Sequence, residues 1–335
     1  MPEYLIVRCH GLKTHLLPNQ AIEALASSKN IKEFADVLAS TDYGNKIREL
    51  KEINAYELEQ IFTDELIKRY SYVVNAASNT MQDFLKVYAK RFEIEALTKI
   101  LRSKTSKTTT SKNIKSFLPS IQELSTLNLD RLIEAETIER TIELLKGTAY
   151  FKIVKSLEFY QKYNSVLPLE THLKKIYYEM VFQALETLPN EDQEEIKKLL
   201  GIEIDALNCF TALSPILYNY APELTKQMLI PFFFKVPLSS LKEVIESKSL
   251  HTALTVFKGY ENVIKPLVEK GDEVLTEINV FKLLKEKADE IMVKSSINFA
   301  YAIAYLALCE IEWRNLTLIA FLTQQNIEAK PYLIL

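Results

Sequence analysis

The four histidines are the residues whose spacing best tests for metal chemistry: His10, His15, His172 and His251. Zinc-protease and di-iron sites need His–His or Glu–His pairs three or four residues apart on one helix face. No such pair occurs in the sequence. The loose group formed by Cys9-His10 and His15 is interpreted as ordinary surface and core residues of an N-terminal helix. The sequence therefore predicts no metal site.

Nucleotide and diphosphate chemistry also lack a recognisable motif. Gly11-Leu12-Lys13-Thr14 has only the end of a phosphate-binding loop and lacks the earlier glycine. No Gly-x-Ser-x-Gly segment and no pair of adjacent aspartates is present. The acidic stretch from Glu191 to Glu195 follows Pro189, where acidic side chains favour the start of a helix through its dipole. We therefore predict no catalytic residue and no bound cofactor.

The composition excludes further functional classes of protein. The chain has 41 basic and 44 acidic residues and a formal net charge of −3, without the basic character typical of nucleic-acid binding. Its three cysteines, Cys9, Cys209 and Cys309, lie far apart and indicate reduced thiols in an intracellular protein. The longest uncharged run, Ser295 to Cys309, is shorter than the roughly 20 residues of a membrane span. We expect a soluble protein with no direct membrane span.

The elements that must position these residues are predicted to be helices. Apolar residues recur at helical spacing in Ala55–Val73, Met81–Arg102, Leu169–Leu188, Phe281–Met292 and Ile297–Phe321. Six glycines in 335 residues also argue against an all-β fold with its tight hairpins. The predicted class is all-α. Only Tyr4-Leu5-Ile6-Val7-Arg8 stays open between a short strand and the first turn of a helix.

The chain repeats itself with a period of about 110 residues, at two landmarks that keep the same order. Three acidic segments begin at Glu93, Glu203 and Glu312, which are 110 and 109 residues apart. A second landmark follows the same period and ends in a tyrosine in each copy: Tyr43, Tyr150 and Tyr260. Because a triplicated residue is more naturally structural than catalytic, we interpret all six residues as structural landmarks.

The period divides the chain into three helical units, with predicted boundaries at 1–113, 114–223 and 224–335. The first unit ends in a Ser/Thr/Lys-rich stretch, Ser103 to Lys112, which has no apolar residue and is interpreted as a linker. Arg102 and Arg314 lie in two of the acidic segments. Arginine is enriched in interfaces, so both are candidate partner contacts, with intramolecular ion pairs as the alternative.

These segments together resemble the C subunit of the archaeal-type (A/V-type) rotary ATPases, a relative of the d subunit of eukaryotic V-type ATPases. Arg8–Leu17 is similar to the opening helix of that family, Phe92–Arg102 to its acidic-x-x-Asn-Leu segment and Glu310–Ile319 to its closing segment. Ala96 and Ala206 stand where the family pattern often has asparagine, whereas Asn315 keeps the amide.

The resemblance implies three similar helical units around a pseudo-threefold axis, forming a funnel. It further implies a rotor socket without catalytic residues, peripheral on the cytoplasmic face of the membrane. Its partners would be the central axle, which is the D subunit with the F subunit nearby, and the proteolipid ring that carries H⁺ or Na⁺. Two other classes stay open on the residues alone: a helical-repeat scaffold of another assembly, and an all-α enzyme with a site that these motifs miss.

Overall fold

The structure is a computed structural model that describes residues 2–105, 121, 123–294 and 297–335. Helix makes up 76% of it, and the described residues form no strand. The predicted all-α class is therefore confirmed. Tyr4–Arg8, for which the sequence left two possibilities, lies in a helix.

Eighteen α-helices are described, and we number them along the chain. Nine precede residue 145: α1 Pro2–Lys13, α2 Asn19–Leu25, α3 Ile31–Leu38, α4 Gly44–Glu49, α5 Ala55–Ala76, α6 Asn79–Tyr88, α7 Arg91–Thr105, α8 Leu129–Glu134 and α9 Ile138–Leu144. The others are α10 Leu157–Tyr163, α11 Leu167–Leu185, α12 Asn190–Leu217, α13 Pro222–Met228, α14 Leu238–Ser247, α15 Leu250–Val256, α16 Glu261–Lys270, α17 Glu273–Lys294 and α18 Ala300–Gln324. Short 3₁₀ segments occupy Ala149–Ser156 and Lys330–Tyr332.

Side-chain caps fix where several helices begin. Asn30 accepts the backbone N–H groups of Lys32 and Glu33 at the start of α3. Asn54 accepts the N–H of Glu57 at the start of α5. These oxygens satisfy donors that the first turn of a helix leaves without an intrahelical partner.

The first compact unit consists of Met1–Gln82, Pro189–Glu203 and Asn262–Leu335. Its central helix is α18, which is apolar around most of its circumference and is packed by α1, α2, α3, α5 and α17. A helix that is apolar on all sides must be covered on all sides, because exposed apolar surface would be hydrated. The N-terminal and C-terminal parts of the chain thus share one core.

The second compact unit consists of Asp83–Leu188 and Ile204–Glu261. Helix α11 packs against α7, α10, α13 and the 3₁₀ segment Ala149–Ser156. The sequence predicted one long helix from Met81 to Arg102, and the structure has two, α6 and α7. The carbonyl of Tyr88, at the end of α6, accepts the hydroxyl of Tyr177 at 3.0 Å. The predicted linker lies outside the described residues from position 106 onward.

Among the described helices, α12 is the one long and apolar enough to cross a membrane by length and composition. Its most apolar window is 72% buried within the protein. The helix also carries Asp205, which is fully buried and receives hydrogen bonds from Phe234 to Val236. Burial within protein and a satisfied internal carboxylate are the properties of a core helix, because a lipid-facing helix presents an apolar surface.

Candidate functional site: three carboxylate–tyrosine nodes

Three long helices each carry a buried carboxylate that accepts a hydrogen bond from a tyrosine hydroxyl. Tyr43 donates to Glu312 at 2.7 Å, Tyr150 donates to Glu93, and Tyr260 donates to Asp205 at 3.2 Å. We call these three groups the Glu312 node, the Glu93 node and the Asp205 node. The Glu312 node lies in the first compact unit, and the other two lie in the second.

The same carboxylates also receive donors from a loop that comes 24 to 26 residues before each tyrosine. Glu312 accepts the N–H of Leu17. Glu93 accepts the hydroxyl of Ser125 at 2.6 Å and the N–H of Thr126 at 3.2 Å.

The Asp205 node shows the same pattern with more donors. Asp205 accepts three successive backbone N–H groups, those of Phe234 at 3.0 Å, Lys235 at 2.6 Å and Val236 at 3.1 Å. Hydrogen bonds to an ionised oxygen are stronger than neutral ones. Each node therefore fixes both ends of one segment: Leu17–Tyr43, Ser125–Tyr150 and Phe234–Tyr260. We call these the held segments.

Each held segment contains two short helices, which are α2 and α3, α8 and α9, and α14 and α15. None is longer than ten residues. Helices this short are marginal by themselves in water, so packing and end fixation must hold them. The carboxylates thus position the short helices on the long ones.

The middle acidic landmark has to be corrected from Glu203 to Asp205. Tyr260 donates to Asp205, which is fully buried, whereas Glu203 is half-buried and lies two residues earlier. Two residues turn an α-helix by about 200°, so the two acidic side chains point to nearly opposite sides. The corrected landmarks Glu93, Asp205 and Glu312 are 112 and 107 residues apart.

With Asp205 as the landmark, the middle segment also has an asparagine at the position equivalent to Asn315. Asn208 comes three residues after Asp205, as Asn315 comes three after Glu312. Asn208 accepts the N–H of Ile230 at 2.8 Å and donates to its carbonyl at 3.0 Å. Asn315 makes the same pair of bonds with Ile334, at 2.9 and 2.8 Å. Two of the three segments therefore keep the amide, and Ala96 takes this position in the first.

Local sequence explains how two of the tyrosines are presented. The hydroxyl oxygens of Thr41 and Thr148 accept the N–H of Tyr43 and of Tyr150, each two residues later. Gly44 follows Tyr43 at a close approach, where an added Cβ would lie 2.1 Å from the carbonyl oxygen of Ala39. A glycine is required there for steric reasons.

Gly259 precedes Tyr260 in the left-handed region, with a φ of +85°. A side chain at this φ would be strained, which again favours glycine.

The Glu312 node differs from the others by a buried arginine. Arg69 on α5 donates to Glu312 at 2.7 Å and is 3% exposed. Its guanidinium lies 3.7 Å from Glu65 and 5.7 Å from the centroid of the Tyr43 ring. Glu93 has instead Lys90, at 3.2 Å and 27% exposed. No sequence pattern had singled out Arg69.

The surroundings shift the tyrosine pKa values in one direction. Burial, and next the adjacent carboxylate, raise the pKa of Tyr43, Tyr150 and Tyr260 well above the ordinary value. Both causes disfavour the phenolate. The tyrosines therefore stay protonated as hydrogen-bond donors, and the arrangement is suited to holding structure.

The three thiols are buried and form no disulfide. Burial raises the pKa of Cys9 and of Cys309 to about 12, and burial likewise raises that of Cys209. A thiol kept protonated is a poor nucleophile and a poor metal ligand. Among the described residues, no group of three His, Cys, Asp or Glu side chains is placed to hold a metal ion.

The two candidate partner residues both make intramolecular contacts. Arg102 binds the buried Glu170 through two hydrogen bonds of 2.7 and 2.8 Å, while 65% of its own side chain is exposed. Arg314 stacks on Phe281 at 3.8 Å from the ring centroid and lies 3.5 Å from Glu277. The structure thus contains the ion pairs named as the alternative.

A cavity of about 230 Å³ borders the Glu312 node. Lys13, Leu17, Lys285 and Asn315 are among its lining residues. It is smaller than the roughly 300–1,000 Å³ of ordinary ligand pockets. Glu312 itself is already occupied by Tyr43, Arg69 and Leu17.

The fold and the nodes define an all-helical protein whose buried carboxylates hold short helices on long ones. A sequence model of the family described as "ATP synthase (C/AC39) subunit" matches residues 5–330. The chain belongs to this family, and the resemblance drawn from the opening and closing segments is confirmed.

Several relatives are named as the C subunit of A-type ATP synthase. The one from Pyrococcus abyssi is 23% identical over 330 residues, covering 97% of this chain and 87% of the relative. The one from Pyrococcus horikoshii is 23% identical over 333 residues, with 98% and 87% covered. The one from Methanocaldococcus jannaschii is 23% identical over 278 residues, with 80% and 68% covered.

Proposed function

We propose that this chain is the non-catalytic central-stalk component of an A/V-type ATPase, a socket that couples the axle to the proteolipid ring. The family match along residues 5–330, together with relatives named as the C subunit of A-type ATP synthase, carries the proposal. The axle, made by the D subunit with the F subunit nearby, would contact one side of the socket, and the proteolipid ring the other. The chain would lie peripherally on the cytoplasmic face of the membrane.

The three nodes support a body made of three similar units around a pseudo-threefold axis. Each node repeats one arrangement: a carboxylate on a long helix, a loop N–H and a tyrosine hydroxyl. The proposed boundaries of the units are 1–113, 114–223 and 224–335. A funnel with a wide mouth for the axle is the shape that such units would form.

The chemistry of the nodes supports a mechanical role. A catalytic acid or base needs a carboxylate within reach of a substrate, whereas these three are buried and bound to internal donors. Helices held by charge-assisted hydrogen bonds in a densely packed interior resist deformation. Resistance to deformation is what a joint that transmits torque requires.

Arg102 and Arg314 are the residues that we propose to contact a partner. Each is held in place by an internal acidic or aromatic neighbour. Arg102 has in addition most of its side chain exposed. A pre-oriented arginine loses less freedom on binding than a free one.

The experiment is to measure ATP hydrolysis and ATP-driven ion uptake in membranes with and without this chain. Without it, we expect hydrolysis to continue and ion uptake to be lost, because the axle no longer turns the ring. Adding the purified chain should restore uptake, and the variant E203Q should restore it equally well. Ion uptake that stays fully coupled in the absence of the chain would contradict the proposal.

A further inference from the structure

The Glu312 node differs from the other two in the chain order of the segment it holds. Glu93 and Asp205 hold segments that follow them, and their tyrosines are 57 and 55 residues away. Glu312 instead holds a segment that precedes it. Its held segment comes from the other end of the chain, so that Leu17 is 295 and Tyr43 is 269 residues away.

Because of this order, the first held segment has no short covalent connection to its carboxylate. Closing a loop costs more entropy as the loop becomes longer. The segments Ser125–Tyr150 and Phe234–Tyr260 begin 32 and 29 residues after their carboxylates, so the chain itself limits how far they can move away. The segment Leu17–Tyr43 depends on non-covalent contacts with α18, α5 and their side chains.

The strongest of those contacts meet at Glu312. The carboxylate is 5% exposed and accepts from Tyr43, from Arg69 and from Leu17. Arg69 and Glu312 are both buried, so little water screens the attraction between their charges. Arg69 also lies 3.9 Å from the exposed Asp42, the neighbour of Tyr43.

The two ends of the segment Leu17–Tyr43 also lie close to each other. His15 lies 3.1 Å from Asp42, so the residues just before the segment and near its end meet at one point. This contact is exposed and adds little by itself. It places the two ends where a single carboxylate can receive donors from both.

We infer that the Glu312 node is a closure device: it joins the N-terminal segment Leu17–Tyr43 to the last long helix and governs when that segment is released. Within the proposed boundaries, each carboxylate holds a segment of the next unit along the chain, and Glu312 of the last unit holds that of the first. Loss of the carboxylate opens the protein at this place and leaves the Glu93 and Asp205 nodes closed. Glu312 has this role whatever the chain assembles with.

The test is hydrogen–deuterium exchange with peptide resolution on the full-length chain. In E312Q we expect exchange in residues 17–43 to rise by about tenfold or more, since this is a local opening. Exchange in 125–150 and 234–260 should stay as in the wild type. E93Q is the matched control and should raise exchange in 125–150 while leaving 17–43 protected.

A milder variant covers the case in which E312Q does not fold. Y43F removes one donor from the node and keeps the ring, and it should raise exchange in 17–43 by a smaller factor, about threefold to tenfold. Two results would overturn the inference. One is that residues 17–43 stay as protected as in the wild type in Y43F and in a folded E312Q. The other is that exchange rises equally in all three held segments.

Discussion

Asp205 gives the sharpest test of how the nodes work, because the chain offers its own control two residues away. The substitution D205N keeps the size of the side chain and replaces one carboxylate oxygen by an NH₂ group. Asp205 is fully buried and accepts from Phe234, Lys235, Val236 and Tyr260. One amide oxygen has two lone pairs and can serve about two of these four donors.

The expected loss follows from the donors that remain unpaired. Each buried donor without an acceptor costs about 1–3 kcal/mol, so two such donors give about 2–6 kcal/mol. We expect D205N to lower the free energy of unfolding by about 3–4 kcal/mol. The control E203Q changes a residue that is only half-buried, on the other side of α12, and should cost clearly less than D205N.

The assay is urea unfolding followed by far-ultraviolet circular dichroism, with the wild type and both variants in the same buffer. A shift of the midpoint at constant slope reports a change in stability. A loss of less than about 1 kcal/mol in D205N, or an equal loss in E203Q, would show that the four donors do not depend on the Asp205 carboxylate.

Three further predictions concern the tyrosines, one glycine and one asparagine. The folded pKa of Tyr43 lies above its unfolded value of about 10. The protonated hydroxyl of Tyr43 therefore stabilises the folded protein fully below pH 10, and this stability is lost as the pH rises. In unfolding titrations from pH 9 to 12, Y43F should lose up to about 1.4 kcal/mol less stability per pH unit than the wild type, and equal slopes would contradict this. G44A should lower the stability in thermal unfolding by about 2 kcal/mol or more, because its Cβ would overlap Ala39. The control G11A has open space around its Cβ and should be neutral or stabilising. A neutral G44A would disprove the close approach. N315A should lower the free energy of unfolding by about 2 kcal/mol and speed proteolysis near Ile334, since the N–H and the carbonyl of Ile334 both lose their partner. Unchanged cleavage near Ile334 would argue against the contact.

Sequence periodicity predicts the helices and the landmarks well because both depend on local spacing. Tyr43, Tyr150 and Tyr260 were found from their period, and the structure brings each one to a buried carboxylate. The prediction went wrong in the middle segment, where Glu203-Ile204-Asp205 offers two acidic residues. The asparagine three residues after Asp205 was the signal that could have decided between them.

Other parts of the nodes could not be predicted from one sequence. The pairing of Tyr43 with Glu312 spans 269 residues and depends on tertiary packing that no local pattern encodes. Arg69 lies in α5 as one of many charged residues, and only its burial distinguishes it. The division of Met81–Arg102 into two helices was likewise not predicted, and a tyrosine hydroxyl from α11 donates to the carbonyl of Tyr88 at the break.

The chain is proposed to be a rotor component of an A/V-type ATPase. The most direct measurement is to extract native membranes with a mild detergent, capture the tagged chain and identify the co-purifying proteins by mass. We expect recovery of the axle and proteolipid subunits, and their joint loss when the Glu312–Ile319 segment is disrupted. An intact, functional ATPase purified without this chain, while the tagged chain elutes free of all other ATPase components, would contradict it.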